Sequence, residues 1–354
     1  MIKKGVLLIL CFFLSGCIQK SIIDEVHTER GVGYDTASNN KIRGTILLAE
    51  YSSDRTTKNV TMSVVDQSSV NILNKAQRQS DATIVYGSLK LVLFSEAIAK
   101  KEIIEISDAF VRDARIGSRV YFAISEGRAQ EMLEGDYGKQ GNATYISETL
   151  EHNIASGDVP RTNLHLFVYN YTQQGKTAYL PMVKKLNEDR IDISGIGLLD
   201  WQGRLIDKVS ADDMFYFKLL VDKYSAGTKT VKLAGDRATI KSIRSENKIK
   251  VSKKNPFSFT INIKIEGIIQ EYRGRRLTPQ KIKEFEKAFA QQITESTKKQ
   301  IKHFQYLGID PIGLGRKAKQ QTRNFDFKKW EEEYKDVTVQ VNTDVVVLES
   351  GVVQ

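Results

Sequence analysis

The chain has 354 residues and carries 53 Lys plus Arg against 43 Asp plus Glu, a formal net charge of +10. Single hydrophobic cores rarely grow past about 250 residues, so two or three domains are expected. A hydrophobic share of 41%, a charged share of 27%, 24 Gly and 5 Pro exclude collagen-like, low-complexity and wholly disordered classes. The two Cys stand at 11 and 17, so a disulfide framework or a Cys-based zinc site in the remainder is excluded as well.

The first element is a leader. Lys3 and Lys4 precede an apolar run from Gly5 to Leu14, and small residues follow, the pattern of a secretory signal peptide over residues 1–16. A spanning helix needs roughly 20 apolar residues, about twice this run, and polar Gln19, Lys20 and Ser21 follow at once. Leu14, Ser15, Gly16 and Cys17 resemble a bacterial lipobox, whose peptidase cuts before a lipidated Cys. Cys17 is therefore the expected lipid attachment site, carrying covalent diacylglycerol and acyl chains, and two or more chains on one residue give stable membrane attachment.

Gly31 to Asp35, a turn through Ser38 to Asn40, and Lys41 to Leu48 read as a β-hairpin. Asp66 to Gln79 reads as a helix, Thr83 to Phe94 as β-rich, and Ser95 as the cap of a helix through Lys101. Val120 to Ile124 reads as a buried strand, with Ser125 opening a helix through Leu133. Asn142 to Asn153 and Asn163 to Tyr171 are further helices. A second hairpin, Ile193 to Leu199 with Arg204 to Ile206, is expected to share a sheet with the first, since isolated hairpins are marginal. Ser210 then caps a helix whose stripe is Met214, Phe217, Leu220, Val221 and Tyr224.

From Gly227 the composition changes. Residues 227–335 hold 26 Lys and Arg against 12 Asp and Glu, a net of +14, whereas the rest of the chain has a net of −4. Strands are expected at Thr228 to Ala234, Thr239 to Ile243, Phe257 to Tyr272 and Val337 to Leu348. A long helix, 279–307, starts with Thr278 as cap and Pro279 at its first position, and stops at Gly308 before Pro311. The fold class that follows is α+β: three mixed α/β domains, the last with the long helix packed on a mostly antiparallel sheet. Their boundaries are expected at 17–55 with 185–226, at 56–184, and at 227–354.

Catalytic spacing is absent. The four His, at 27, 152, 165 and 303, have no metal-ligand spacing, so no metal and no cofactor are expected. Gly175, Lys176 and Thr177 mimic the end of a phosphate-binding loop, but Asn170 stands where that motif needs Gly. Gly313-Leu314-Gly315 lacks a third glycine and follows a helix, so it reads as a loop. No Gly-x-Ser-x-Gly elbow occurs, and Asp212 with Asp213 read as helix N-terminal charges. The basic third has no nucleic-acid-binding motif, and acidic residues dilute its long helix, which leaves a solvated face or docking on an anionic membrane or an acidic partner.

Several stretches together resemble the spore germination Ger(x)C family of lipoproteins. They are the lipobox, Gly33-Tyr34-Asp35, Leu91 to Phe94, Glu96 to Lys100, Val111 to Asp113, and Ala123 to Ala129 with Met132 and Leu133. Gly195 to Leu199, Arg204 through Tyr224, Gly308 to Gly315, Trp330 and Val337 to Gly351 extend the similarity over nearly the whole mature chain. Ile18 and Gln19 depart from the Trp-Asp that follows the lipidated Cys in many relatives. The resemblance implies three mixed domains, no enzymatic activity, and palmitate or similar chains on Cys17. It also implies assembly with integral membrane A and B type germinant receptor subunits at the outer face of the spore inner membrane, in a receptor for small nutrients, with no nucleic acid. The other reading is a solute-binding lipoprotein that delivers nutrients to a transporter, which would show a ligand-enclosing cleft between two α/β lobes.

Overall fold

The computed structural model describes residues 26–51, 57–101, 103–138, 140–233, 235–254 and 256–350. Leu14, Ser15, Gly16 and Cys17, with the whole leader, lie outside the described residues.

The chain begins with strands β1 (Val26–Thr36), β2 (Ile42–Tyr51) and β3 (Thr57–Asp66), helix α1 (Ser69–Gln79), then β4 (Thr83–Val85) and β5 (Leu91–Ser95). Helices α2 (Glu96–Ala99) and α3 (Ile103–Arg112) lead to β6 (Tyr121–Ser125). Helices α4 (Ala129–Leu133), α5 (Asn142–Ser156) and α6 (Leu164–Thr172) precede β7 (Tyr179–Lys185), β8 (Ile191–Leu199), β9 (Leu205–Ser210) and α7 (Met214–Val221). These strands form one nine-stranded sheet in the order β3-β2-β1-β5-β6-β7-β8-β9, with β4 also paired to β1. Pairing is parallel from β1 through β7 and antiparallel on both flanks.

The two hairpins read from the sequence do lie in one sheet, at its opposite flanks. β1 pairs with β5, and β7 with β8, across the boundaries expected at 55/56 and 184/185. Residues 17–55, 56–184 and 185–226 therefore contribute to one sheet as far as they are described. Parallel partners come from distant parts of a chain, so local patterns identify the strands and leave their neighbours open.

Alternation along the central strands assigns the two faces. Val32, Tyr34, Val92, Phe94, Phe122, Ile124, Leu180 and Met182 pack under α1, α2, α3 and α6. Leu91, Leu93, Ala123, Tyr179 and Val183 pack under α4, α5 and α7.

The remainder forms a second sheet, β10 (Thr228–Leu233), β11 (Asp236–Lys254), β12 (Phe257–Arg273) and β13 (Thr338–Ser350), hydrogen-bonded in that order. The first two pairs are antiparallel and β12 with β13 is parallel, so α8 (Pro279–Leu307) is the crossover of a β-α-β unit. Thr278 caps α8 at Lys281 N (3.2 Å) and Gly308 ends it with φ +71°, where a left-handed residue costs glycine little. Phe285, Phe289, Ile293, Ile301 and Phe304 of α8 cover Phe259, Ile261, Ile263 and Ile265 of β12. Two short helices, α9 (Leu314–Gln321) and α10 (Phe327–Glu333), close the end of α8.

Helix α7 differs from its sequence pattern. All residues from Met214 to Leu220 are buried, and the helix ends at Val221, which leaves Tyr224 outside it and 37% exposed. A helix apolar on nearly every side, with Lys218 its one charged residue, is buried on every side. Phe217 packs edge-on to Tyr179 of the first sheet (5.2 Å) and to Phe304 of α8 (5.7 Å), while Phe215 stacks on Phe289 (6.1 Å). The helix expected from Ser125 is also shorter. Gly127 takes φ +90°, Ser125 donates to the Gly127 carbonyl, and the helix starts at Ala129.

Candidate functional site

Two of the stretches that carried the family resemblance, Gly33 to Asp35 and Gly308 to Gly315, mark two places in the fold. At the first, β1 brings Gly33 and Asp35 beneath α4, while Tyr34 between them faces the other side of the sheet. The Asp35 carboxylate accepts from the backbone N–H groups of Ala129 and Gln130, both at 2.9 Å, so it caps α4 from 94 residues away. Tyr34 stacks on Phe94 (6.2 Å) and meets Phe110 edge-on (6.1 Å). Gly33 faces α4 so closely that a Cβ there would stand 2.9 Å from Ala129 Cβ and 3.0 Å from Leu133 Cδ1. Gly33→Ala is therefore expected to push α4 outward and cost about 1–3 kcal/mol, the range for overpacking. A urea unfolding midpoint unchanged from the parent chain would refute this reading of the glycine.

The second place joins the two sheets. The α6–β7 loop, Gly175 to Thr177, lies against the turn from Asp310 to Arg316 that links α8 to α9. Arg316 N donates to Gly175 O (2.9 Å) and Thr177 N donates to Asp310 O (2.9 Å). Asp310 is fully buried, and its carboxylate accepts from the N–H of Gly313 (2.7 Å) and Gly315 (2.8 Å). Burial pushes its carboxyl up to about 6, against the pull of the backbone N–H groups of Gly315, Leu314 and Gly313. Burial also pushes the Lys176 ammonium down to about 8, helped by Arg316 and opposed by Asp310 and Asp222. Its charge sits 5.3 Å over the Tyr179 ring.

Glycine is required on both sides of this contact. A Cβ on Gly175 would stand 2.5 Å from Arg316 N, and one on Gly315 would stand 2.5 Å from Trp330 Nε1. The apparent phosphate-loop ending and the apparent dinucleotide glycines are thus two halves of one structural dock. Neither glycine motif had signalled this, because each is short and its partner lies over 130 residues away. Asp310→Ala would leave buried N–H donors unmet and is expected to cost about 3 kcal/mol, with Asp310→Asn costing less because one acceptor oxygen survives. Chemical denaturation of the two variants checks the order.

Further polar groups close the junction. Lys218 of α7 is 1% exposed and donates to the carbonyls of Ile154 (2.9 Å) and Gly157 (3.0 Å). Asp222 accepts from Arg161 N (2.8 Å), and Asn247 of β11 donates to the carbonyls of Leu219 (2.8 Å) and Asp222 (3.0 Å) at the end of α7. Trp201 Nε1 donates to Gly308 O (2.9 Å), and His303 Nε2 lies 2.6 Å from Asp207 Oδ2. The bonds of Asn247, Trp201 and His303 hold the two units in one orientation, while those of Lys218 and Asp222 fix α7 against the α5 end of the first.

Sequence reading also missed Glu29. A register shift in β1 between Glu29 and Gly31 turns this carboxyl inward, 1% exposed, and its Oε1 has no hydrogen-bond partner among the described residues. Burial, and then the negative charge of Asp113, push it up to about 8. Asp113 itself is held by Arg115 through Nε (2.8 Å) and Nη2 (2.6 Å), and the Arg115 guanidinium lies 4.9 Å over the Tyr86 ring. The sequence carries no signal for this, since Glu29 stands among the polar His27, Thr28 and Arg30.

Among the described residues no group of three or more His, Cys, Asp or Glu is placed to hold a metal. His27 and His152 meet Ser80 and Ser156, and His165 lines a groove of about 210 Å³ with Phe110 and Leu164. A second groove, of about 270 Å³, runs past Arg119, Tyr121 and Glu151. Both fall below the roughly 300–1,000 Å³ usual for ligand pockets.

Comparison with known proteins agrees with the resemblance. The model of the "Spore germination protein N-terminal domain" matches residues 19–185, and that of "Spore germination B3/ GerAC like, C-terminal" matches residues 194–351. The spore germination protein GerQC of Bacillus cereus is 32% identical over 99% of this chain and 100% of its own. The putative spore germination protein YfkR of Bacillus subtilis strain 168 is 22% identical over 79% of this chain and 76% of its own. The crystal structure of the GerBC protein has the same fold, with a TM-score of 0.61 over 90% of this chain and 97% of that one, at 17% identity. Matched by both domain models and, from end to end, by a relative of this identity, the chain belongs to the Ger(x)C family of spore germination proteins.

Proposed function

We propose that this chain is a non-enzymatic, lipid-anchored C subunit of a spore germinant receptor. In this reading it assembles with integral membrane A and B type subunits at the outer face of the spore inner membrane, and the nutrient-triggered response needs it. The observation that carries the reading is the full-length similarity to GerQC.

The anchor is assigned to acyl chains on Cys17, following the lipobox at Leu14 to Cys17. Among the described residues no helix is long and apolar enough to cross a membrane, which is consistent with attachment through lipid. The solute-capture reading is disfavoured by the junction: one apolar cluster runs from Leu91 and Leu93 through Phe217 to Ile261 and Phe289, where a capture protein would open a cleft.

Mild-detergent purification of the tagged chain from spore membranes tests the assignment. Integral membrane proteins retained in fixed ratio are the expected result. Recovery of the chain alone, under conditions that preserve other membrane complexes, would remove the receptor reading.

A further inference from the structure

The surplus positive charge of the second unit is not spread evenly. The β10–β11 turn and the segment between β12 and α8 meet at one tip, where two shallow depressions of about 550 and 410 Å³ share Gly235 and Asp236. Their walls carry Lys232, Arg237, Arg273, Arg275, Arg276 and Lys281. Lys281 pairs with Asp236 (3.1 Å) and Arg273 with Glu271 (2.7 Å). Lys232, Arg237, Arg275 and Arg276 have no acidic partner among the described residues, and Lys232, Arg275 and Arg276 are exposed at the surface. Elsewhere on the same sheet Lys248 and Arg244 are answered by Glu246 (3.0 Å) and Glu266 (3.9 Å), while Lys241, Lys250 and Lys253, which also lack an acidic partner among the described residues, are spread along β11.

Local structure keeps this cluster together. Gly274 leaves room for the Tyr272 hydroxyl and the Asp236 carboxylate, either of which a Cβ would meet within 2.7 Å. Tyr272 packs edge-on against Phe285 (6.0 Å), and Leu233 and Leu277 pack on the core, so the backbone beneath the arginines is fixed. The tip also stands at the N-terminus of a 29-residue helix, where the aligned peptide dipoles add positive potential.

We infer that this tip docks on the phosphate headgroups of an anionic membrane surface. Guanidinium forks match phosphate oxygens two at a time, and four cations without counter-ions form a complementary face for an array of such groups. A single-stranded nucleic acid would need an aromatic platform for its bases, and the one ring lining the tip, Tyr272, is already packed against Phe285. The inference rests on the proposed membrane anchoring only for which surface lies within reach.

The full acylated chain, inserted into vesicles, provides the test. Backbone hydrogen exchange at residues 232–237 and 273–277 is compared between vesicles of phosphatidylcholine alone and vesicles with one third phosphatidylglycerol. A basic side chain near an anionic surface gains about fivefold in affinity, so exchange at the tip is expected to slow by about fivefold or more on the anionic vesicles. The slowing is expected at about 0.01 M salt, where charges act over about 30 Å, and should vanish near 1 M. Arg275→Glu with Arg276→Glu should abolish it, while Lys298→Glu with Lys299→Glu, the same charge change on the exposed side of α8, should not.

Equal exchange on both vesicles would overturn the inference, as would equal loss in the two double variants. Slowing by inorganic phosphate on neutral vesicles would overturn it in favour of a soluble-anion site. A chain that floats only with anionic vesicles, and loses that with Arg275 and Arg276, would refute the acyl anchor and uphold the tip.

Discussion

Cys17→Ala is expected to release the chain from the membrane while its fold is kept. In the proposed reading the thiol is the acylation point, and each acyl methylene buried in lipid contributes about 0.8 kcal/mol, so two or three chains account for most of the attachment. Cys17 precedes β1, the first described strand, by nine residues, and no core contact among the described residues depends on it. The variant should accumulate as uncleaved precursor or as a released form, with circular dichroism and unfolding midpoint unchanged. Germination should fall to the extent that partner subunits fail to retain it. Labelled palmitate separates the outcomes. A variant that still takes up label refutes the lipobox assignment. One that loses label, stays wholly in the membrane and still supports germination shows that protein contacts or the arginine tip hold the chain.

Glu29→Gln is expected to change how stability responds to alkali. The folded chain holds the Glu29 carboxyl at about 8, against the ordinary glutamate value of 4.5, chiefly because burial disfavours its charged form. Between those two values the folded state binds the proton and the unfolded state does not. Stability from this group is therefore complete below about pH 4.5, declines as pH rises, and is gone above about pH 8. Each tenfold change in proton affinity is worth about 1.36 kcal/mol, so the loss is roughly 4–5 kcal/mol. The groups around the carboxyl add no relief: Tyr34 has its hydroxyl buried without a partner among the described residues, Tyr86 is half-buried, and the Asp113 charge adds to the rise. An amide cannot ionise, so Glu29→Gln should match the parent near pH 5 and exceed it by a few kcal/mol at pH 9. Taking the difference between the two chains removes the contributions of Asp310 and Lys176. Urea unfolding at five or six pH values gives the answer, and parallel profiles would show that Glu29 is solvated or paired in solution.

Legibility followed the range of the interaction. Helix α8 was readable to the residue because its signals are local: a Thr cap, Pro at the first position, a 3.6-residue stripe and a closing Gly. The cap at Ser95 was readable for the same reason. Strand β3 was not, since Thr57–Asp66 mixes Lys, Asn and Ser with Val and has no clean alternation. Strand β7 was hidden by Pro181, which the sheet tolerates although it argues against a central strand. The start of α4 was misplaced because its cap is supplied by Asp35 from another strand, and a local reading could offer only Ser125. Helix α7 looked amphipathic until a second sheet was known to lie against its far side. The lipobox is also a short contiguous pattern, but it lies outside the described residues. The dock between Gly175–Thr177 and Asp310–Arg316 was not readable, since its meaning lies in a pairing that neither half encodes alone.

The position of β1 near the middle of the first sheet bears on how the chain reaches this state. β1 and β2 can pair as a hairpin as soon as they emerge, and β3 extends it, because their contacts are close in sequence. The other edge of β1 must wait for β4 and β5, and the central run is complete only when β7 arrives, about 150 residues after β1 begins. Until then an edge carrying Val32 and Tyr34 stands open to solvent and to other chains. β12 is in the same position, since its parallel partner β13 follows only after α8 and the helices beyond it. Late parallel pairing on both sheets makes this a slow folder with two exposed templates for mispairing. Its refolding yield should thus depend more on dilution and on chaperones than on the stability of the finished fold.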